Sequence, residues 1–272
     1  MEQQTYMNIK RQRTNLIIGL IVSIAVVNIA VFFSAASEIG MMVADFSTIS
    51  TIAIAFGLSL VVVGKQKISG LFGRAYAVLA VGLVCWLTAE ALWAYYQIGL
   101  GIENPFPSLA DAFWLAGYGP FAYHLFSTSR FFGKGIRKSF LAVVTLAVAL
   151  YVTFYVSIIL DTFELTGPDA LLSLAIGISY PIADGVILLP ALAIIMNSGR
   201  GQLTSIPWMF VAFILLVAAD SFLGLGAVAA TTDQTFHITM LYNAAYLCIA
   251  AGLFWYNRMF IGILPKTRTN TT

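Results

Sequence analysis

Residues 46–93, FSTISTIAIAFGLSLVVVGKQKISGLFGRAYAVLAVGLVCWLTAEALW, decide the fold. Two apolar runs, 46–64 and 75–98, flank a hinge that carries Lys65, Lys67 and Arg74, and neither run holds a Lys or Arg. Each run is about 20 residues, the length an α-helix needs to cross roughly 30 Å of hydrocarbon. The same unit recurs at 16–36, 108–129, 139–160, 170–197, 204–228 and 237–257. Threading the chain from inside to outside puts all 14 Lys and Arg on one side. Lys10, Arg11 and Arg13 come first, then the hinge, then Arg130, Lys134, Arg137 and Lys138, then Arg200, and last Arg258, Lys266 and Arg268. The opposite loops carry only acids: Glu38, Asp45, Glu103, Asp161, Glu164, Asp169 and Asp233. The positive-inside rule produces this division. The sequence therefore predicts an all-α, polytopic membrane helix bundle of eight transmembrane helices with both termini cytoplasmic, a multi-pass protein of the cell membrane in contact with the lipid bilayer.

Composition points the same way. Sixty per cent of the residues are hydrophobic and 10% charged, far from soluble averages. Residues 1–15 read as a cytoplasmic N-terminus, 16–257 as the transmembrane domain and 258–272 as a disordered cytoplasmic tail. The basic residues are dispersed over five inner segments and form no stripe for nucleic acid. Ser34-Ala35-Ala36-Ser37 after a basic and apolar start resembles a signal peptide. The apolar core is about 20 residues, longer than the 7–15 of a cleaved signal, so it reads as a retained first span. Cys85 and Cys248 fall inside spans and fit no disulfide framework.

The informative residues are those that a span should exclude. Glu90, Asp184 and Asp220 each lie well inside an apolar run, and no span offers a cation to pair with them. A central acid costs roughly 2.5–3.5 kcal/mol on insertion scales, so each needs hydrogen bonds, a proton or a cationic ligand. Glu90 and Asp220 lie 16 residues beyond Arg74 and Thr204, about 24 Å along their helices. Asp184 lies nearer the middle of its span. Helical spacing places Trp86, Glu90, Trp93 and Gln97 on one face, Tyr180 one turn before Asp184, and Thr239 and Tyr246 one turn either side of Asn243. Indole N–H and phenol O–H groups can hold a carboxylate away from water. The expected site is an outward-facing pocket of Glu90, Asp184 and Asp220, with Trp93, Tyr180, Asn243 and Tyr246 around it. The bland alternative is helix–helix glue, in which such groups bond across an interface.

Ser108 three residues before Asp111 is a capping-box pattern with Asp in place of Glu. Asp111 therefore reads first as a helix-start residue, with Trp114 and Tyr118 continuing its face and able to line a cavity.

Pro107-Ser108-Leu109-Ala110-Asp111-Ala112-Phe113-Trp114-Leu115-Ala116-Gly117-Tyr118 resembles the PSLADxFYLxxYP segment of the multi-pass sensor regions fused to bacterial GGDEF/EAL (cyclic-di-GMP) signalling proteins. Tyr180-Pro181-Ile182-Ala183-Asp184 with Leu188-Leu189 resembles their YPxxDxxLL segment, and Ala218-Ala219-Asp220 with Phe222 their later AD span. Glu90 with Trp93 matches their preceding acidic span, so the likeness covers roughly residues 80–255 in order. Gly119-Pro120 departs from the family by one residue, and Asn243 stands where an Asp is frequent. The resemblance implies a sensory membrane fold. With no GGDEF, EAL or kinase sequence after Arg258, output is expected through a cytoplasmic or membrane signalling partner.

Other chemistries find no support. A retinal Schiff base needs a Lys within a span, and there is none. His124 and His237 stand at depths about 20 Å apart by helix rise, too distant for a shared zinc or haem; His124 reads as an interhelical packing residue. HExxH, GxSxG, P-loop and dinucleotide fingerprints are absent. No catalytic residue and no cofactor is assigned, and the metal question is left open. Two functional classes stay open: a sensor-like or scaffolding module with a small-molecule or small-cation ligand, and a proton- or cation-coupled transporter or channel using the same acids. The topology is tested by cysteines at Gly101, Thr166 and Thr232, which should react with an impermeant maleimide from outside. Reaction from outside at Lys67 or Gly135 would reject it.

Overall fold

The computed structural model describes residues 2–102, 104–132, 138–163, 168–197, 207–228 and 235–261. Glu103, Lys134, Arg137, Glu164, Arg200, Asp233, Lys266 and Arg268, and the tail beyond Ile261, lie outside the described residues. The described chain is all-helical: α1 (Glu2–Ser34), α2 (Gly40–Gln66), α3 (Gly70–Ala94), α4 (Leu109–Phe132), α5 (Lys138–Thr162), α6 (Ala170–Asn197), α7 (Pro207–Val228) and α8 (Thr235–Tyr256). A π-turn, Tyr95–Gly99, extends α3, and another, Asn257–Ile261, extends α8. Each helix overlaps one of the eight apolar runs.

Six of the helices are long and apolar enough to cross a membrane: α1, α2, α3 with its π-turn, α5, α6 and α8. In α7 the described apolar stretch is the shorter Trp208–Gly224, and α4 is diluted by Asp111, His124, Arg130 and several hydroxyl residues. Polarity is arranged as lipid requires. Val26, Phe33, Leu146, Leu150 and Leu171 are exposed, whereas Asp111, Asp184, His124 and Asn243 are buried. A water-soluble bundle would reverse that order. The chain is a multi-pass membrane protein.

Six helices close into a ring. α2 packs on α3, α3 on α4, α4 on α6, α6 on α7, α7 on α8, and α8 back on α2. α1 lies outside against α8 and α2, and α5 lies outside against α6 and α7. The core inside the ring is strongly aromatic, built from Trp86, Tyr118, Phe121, Phe210, Phe213 and Tyr246 with Leu79, Leu83 and Leu216. Trp86 meets Tyr118, Phe121 and Tyr246 edge-on at centroid distances of 5.5, 5.2 and 6.2 Å, a favoured geometry for ring quadrupoles.

The α3–α4 contact fixes the rest. Gly82 and Gly117 face each other there: a Cβ on either would sit 3.2 Å from the other's carbonyl oxygen. A Cβ on Gly82 would also come within 2.5 Å of the Phe121 ring, and one on Gly117 would overlap the Trp86 indole. Two absent side chains let the backbones approach, the usual device of membrane helix pairs. The Trp86 indole then donates to the Trp114 carbonyl at 2.9 Å. Gly117→Ala should destabilise the fold by about 1–3 kcal/mol, the cost of overpacking, read as a lower unfolding temperature in lipid nanodiscs. Gly119→Ala, where a Cβ meets nothing within 4 Å, should leave that temperature nearly unchanged.

Candidate functional site

The apolar run of span two starts at Phe46, but the helix starts six residues earlier, at Gly40. Asp45 is therefore not a loop acid. It sits in the second turn of α2, 8% exposed. One acid truncates a hydropathy run without interrupting a helix, because Gly40–Ala44 before it are apolar or small.

Each ring helix now contributes a polar residue to the interior: Asp45 from α2, Glu90 from α3, Asp111 and Tyr118 from α4, Asp184 from α6, Asp220 from α7, and Tyr242, Asn243 and Tyr246 from α8. At the centre stands Tyr118. Its hydroxyl is 2.8 Å from Asp184 Oδ1 and 2.8 Å from Asp220 Oδ2, and the two carboxyl groups also reach each other. A phenol carries one proton. It can satisfy one carboxylate, and the second contact is a hydrogen bond only if a carboxyl group itself brings a proton. The pair can hold a proton between its members.

Further donors close around this pair. Tyr242 donates to Asp220 Oδ1. Tyr151, on the peripheral α5, lies 3.3 Å from Asp184 Oδ2 and 2.9 Å from Ser221 Oγ. Ser221 directs its own proton to the Val217 carbonyl at 2.6 Å, so the Tyr151 proton is drawn mainly to Ser221. Asp220 thus has two short phenol contacts, and Asp184 has one plus a long one. One network joins α4, α5, α6, α7 and α8.

A second cluster lies between α2, α3 and α8. Tyr246 donates to Glu90 Oε1 at 2.6 Å, and Thr48 and the Trp114 side chain also reach Glu90. Asn243 receives the Thr51 hydroxyl at 3.0 Å and donates to Ser47 Oγ at 2.8 Å. Tyr242 and Tyr246 stack with centroids 6.2 Å apart, so one pair of rings on α8 joins the two clusters.

Asp111 has two roles. Its Oδ2 accepts the Ser108 N–H at 2.7 Å and the Ser108 hydroxyl at 3.2 Å, while Ser108 Oγ accepts the Ala110 N–H at 3.2 Å. That reciprocal arrangement is the expected capping box. Its Oδ1 accepts the Tyr180 hydroxyl at 2.8 Å, which ties the start of α4 to α6. The Tyr180 ring also meets that of Tyr118 at 6.4 Å.

The structure therefore brings Glu90, Asp184, Asp220 and Tyr246 into connected clusters, and it redistributes the other expected partners. Tyr180 serves Asp111 and not the acid on its own helix. Trp93 packs against Trp114 with centroids 5.4 Å apart and the ring planes tilted by 55°. Asn243 bonds to α2 hydroxyls. His124 meets the Ala75 carbonyl through Nδ1 at 3.0 Å, the interhelical contact expected of it. Sequence reasoning missed Asp45, Thr48, Tyr151, Ser221 and Tyr242, and it gave Tyr118 only a lining role. Tyr242 had a usable signal, four residues before Tyr246 on the same stripe. Tyr151 had none, since its span, 139–160, carries no acid and nothing in the spacing sets it apart from Tyr155.

The geometry predicts how Asp111 responds to substitution. In Asp111→Asn the amide oxygen can keep the Ser108 contacts while the amide nitrogen faces the Tyr180 oxygen, so the loss should be about 1 kcal/mol or less. Asp111→Ala strands the Ser108 N–H and the Tyr180 hydroxyl, and should cost about 2–3 kcal/mol. Thermal unfolding of both variants in nanodiscs checks the order. No family model, curated protein or solved structure matches this chain, so its function is argued from this geometry.

Proposed function

We propose that this protein is a sensor-like module of the cell membrane, with eight spans and both termini in the cytoplasm, whose stimulus acts on an outward-facing acidic and aromatic site built from Glu90, Asp184 and Asp220. The observation that carries the reading is the single Tyr118 hydroxyl set between Asp184 and Asp220. Two carboxyl groups sharing one phenol are stable together while a proton is present. Without it two negative charges meet in a medium of low dielectric, where repulsion is only weakly screened. Gain or loss of that proton therefore biases how α4, α6, α7 and α8 pack, and the network is the bistable element that a switch requires. The resemblance of the 107–118 and 180–189 segments to membrane sensor regions supports the same reading, and the signal would pass to a partner protein at the cytoplasmic ends of the helices.

The second reading, a proton- or cation-coupled transporter, uses the same acids as a pathway. The closed character of the network favours the sensor. Each acid is held by phenols from other helices, and Trp86, Phe121 and Phe213 beyond them are fully buried. The test combines two measurements. Spin labels at Gly64 and Ser129, near the proposed cytoplasmic ends of α2 and α4, should change separation when outside pH is stepped, and Asp220→Asn or Tyr118→Phe should abolish the change. Proteoliposomes should show no matching proton flux. Unchanged separations, or a proton or Na⁺ flux lost in Asp220→Asn, would overturn the sensor reading.

A further inference from the structure

The Asp45–Glu90 cluster poses a problem distinct from that of the Asp184–Asp220 pair, although it shares Glu90 with the proposed sensor site. Both acids are buried, at 8% and 7% exposure, and each lies within electrostatic reach of the other. Their surroundings differ. Glu90 is better supplied, with the Tyr246 hydroxyl at 2.6 Å and the Trp114 side chain beside it. Asp45 Oδ2 is shut away from solvent and has no hydrogen-bond partner. The Thr48 hydroxyl, beside Glu90, gives its proton to the Asp45 backbone carbonyl at 2.9 Å and so has none left for the Asp45 carboxylate. The cations of α2 and α3, Lys65 and Arg74, lie 20 and 16 residues along the helices from Asp45 and Glu90 and cannot reach the cluster.

We propose that Asp45 and Glu90, with Thr48 Oγ1, form a binding site for a monovalent inorganic cation such as Na⁺ at the junction of α2, α3 and α8. The donor set is all oxygen, which suits a hard cation. The charge favours a single positive charge. Glu90 already receives donors that accommodate its carboxylate, and the charge left without a partner is that of Asp45. A buried carboxylate oxygen with no donor is the atom that an absent cation would satisfy, and groups orphaned in this way call for an explanation. Asn243, bonded to Ser47 and Thr51 on the same face of α2, holds α8 against the site and keeps its walls in place.

Trp114 touches Glu90 and packs against Trp93 at 5.4 Å, so tryptophan emission reports on the site directly. The experiment uses the full chain in lipid nanodiscs, titrated with NaCl against choline chloride at constant ionic strength. Wild type should give a saturable emission change with Na⁺ and none with choline. Asp45→Asn and Glu90→Gln should weaken the apparent affinity by about tenfold or more, the effect of losing one charge-assisted contact. Asp169→Asn, which removes an exposed acid at the start of α6, should keep the wild-type response. Direct binding of ²²Na⁺ to the wild-type protein needs no variant to fold, and its absence would overturn the site. An identical response in Asp45→Asn, or saturation by Ca²⁺ without saturation by Na⁺, would overturn the assignment as well.

Discussion

Tyr118 can reach Asp184 and Asp220 together only because the residue before it has no side chain. Gly117 lets α4 lie close against α3 at Gly82, and one residue further, about 100° around the helix, Tyr118 points away from α3 toward α6 and α7. Trp86 reinforces this setting, since its indole donates to the Trp114 carbonyl at 2.9 Å and its ring meets that of Tyr118. Pro120 lies within α4 and brings no N–H to the helix ladder. The rotation of one helix, set by two glycines and a tryptophan, thus determines which hydroxyl meets which acids.

The architecture was legible because lipid allows few solutions. Backbone groups in hydrocarbon must bond within a helix, so apolar runs of about 20 residues translate directly into helices, and basic residues between them mark the turns. The interior position of Glu90, Asp184 and Asp220 was legible for the same reason, since an acid facing lipid would be far costlier than one facing protein. Asp45 escaped because a hydropathy run is a poor measure of a helix end. Five apolar or small residues precede it, and the helix runs straight through the charge.

Partner choice was less legible, and the cause is the direction in which helical side chains lean. Long side chains tilt toward the N-terminus of their own helix. Tyr180 lies one turn before Asp184 and shares its face, yet its hydroxyl extends away from that acid and finds Asp111 at the start of α4. Tyr242 and Tyr246 on α8 meet acids in the second halves of α7 and α3, Asp220 and Glu90. A shared face in sequence shows which groups surround one space. Which pairs form within it depends on the tilt of each side chain and the offset between helices, and neither is written in the spacing.

The same magnitudes separate glue from function. Interhelical hydrogen bonds in membrane proteins average about 0.6 kcal/mol, whereas a central acid costs roughly 2.5–3.5 kcal/mol. Bonds of that size hold helices in register but do not offset ionised acids, so glue alone would be better served by Ser, Thr or Asn. Asn243 illustrates that cheaper solution, joining α8 to α2 through Thr51 and Ser47 with no charge involved. On the proposals above, the carboxyl groups are met by something that can arrive and leave. At Asp184 and Asp220 the shared phenol suits a proton, because each oxygen already has a hydrogen-bonding neighbour. At Asp45 the bare oxygen has no such neighbour, and there the proposed cation would complete the coordination that a proton alone would leave open. The bundle thus gives its buried acids two kinds of surroundings, and the difference follows from how many hydroxyl groups the neighbouring helices bring within reach.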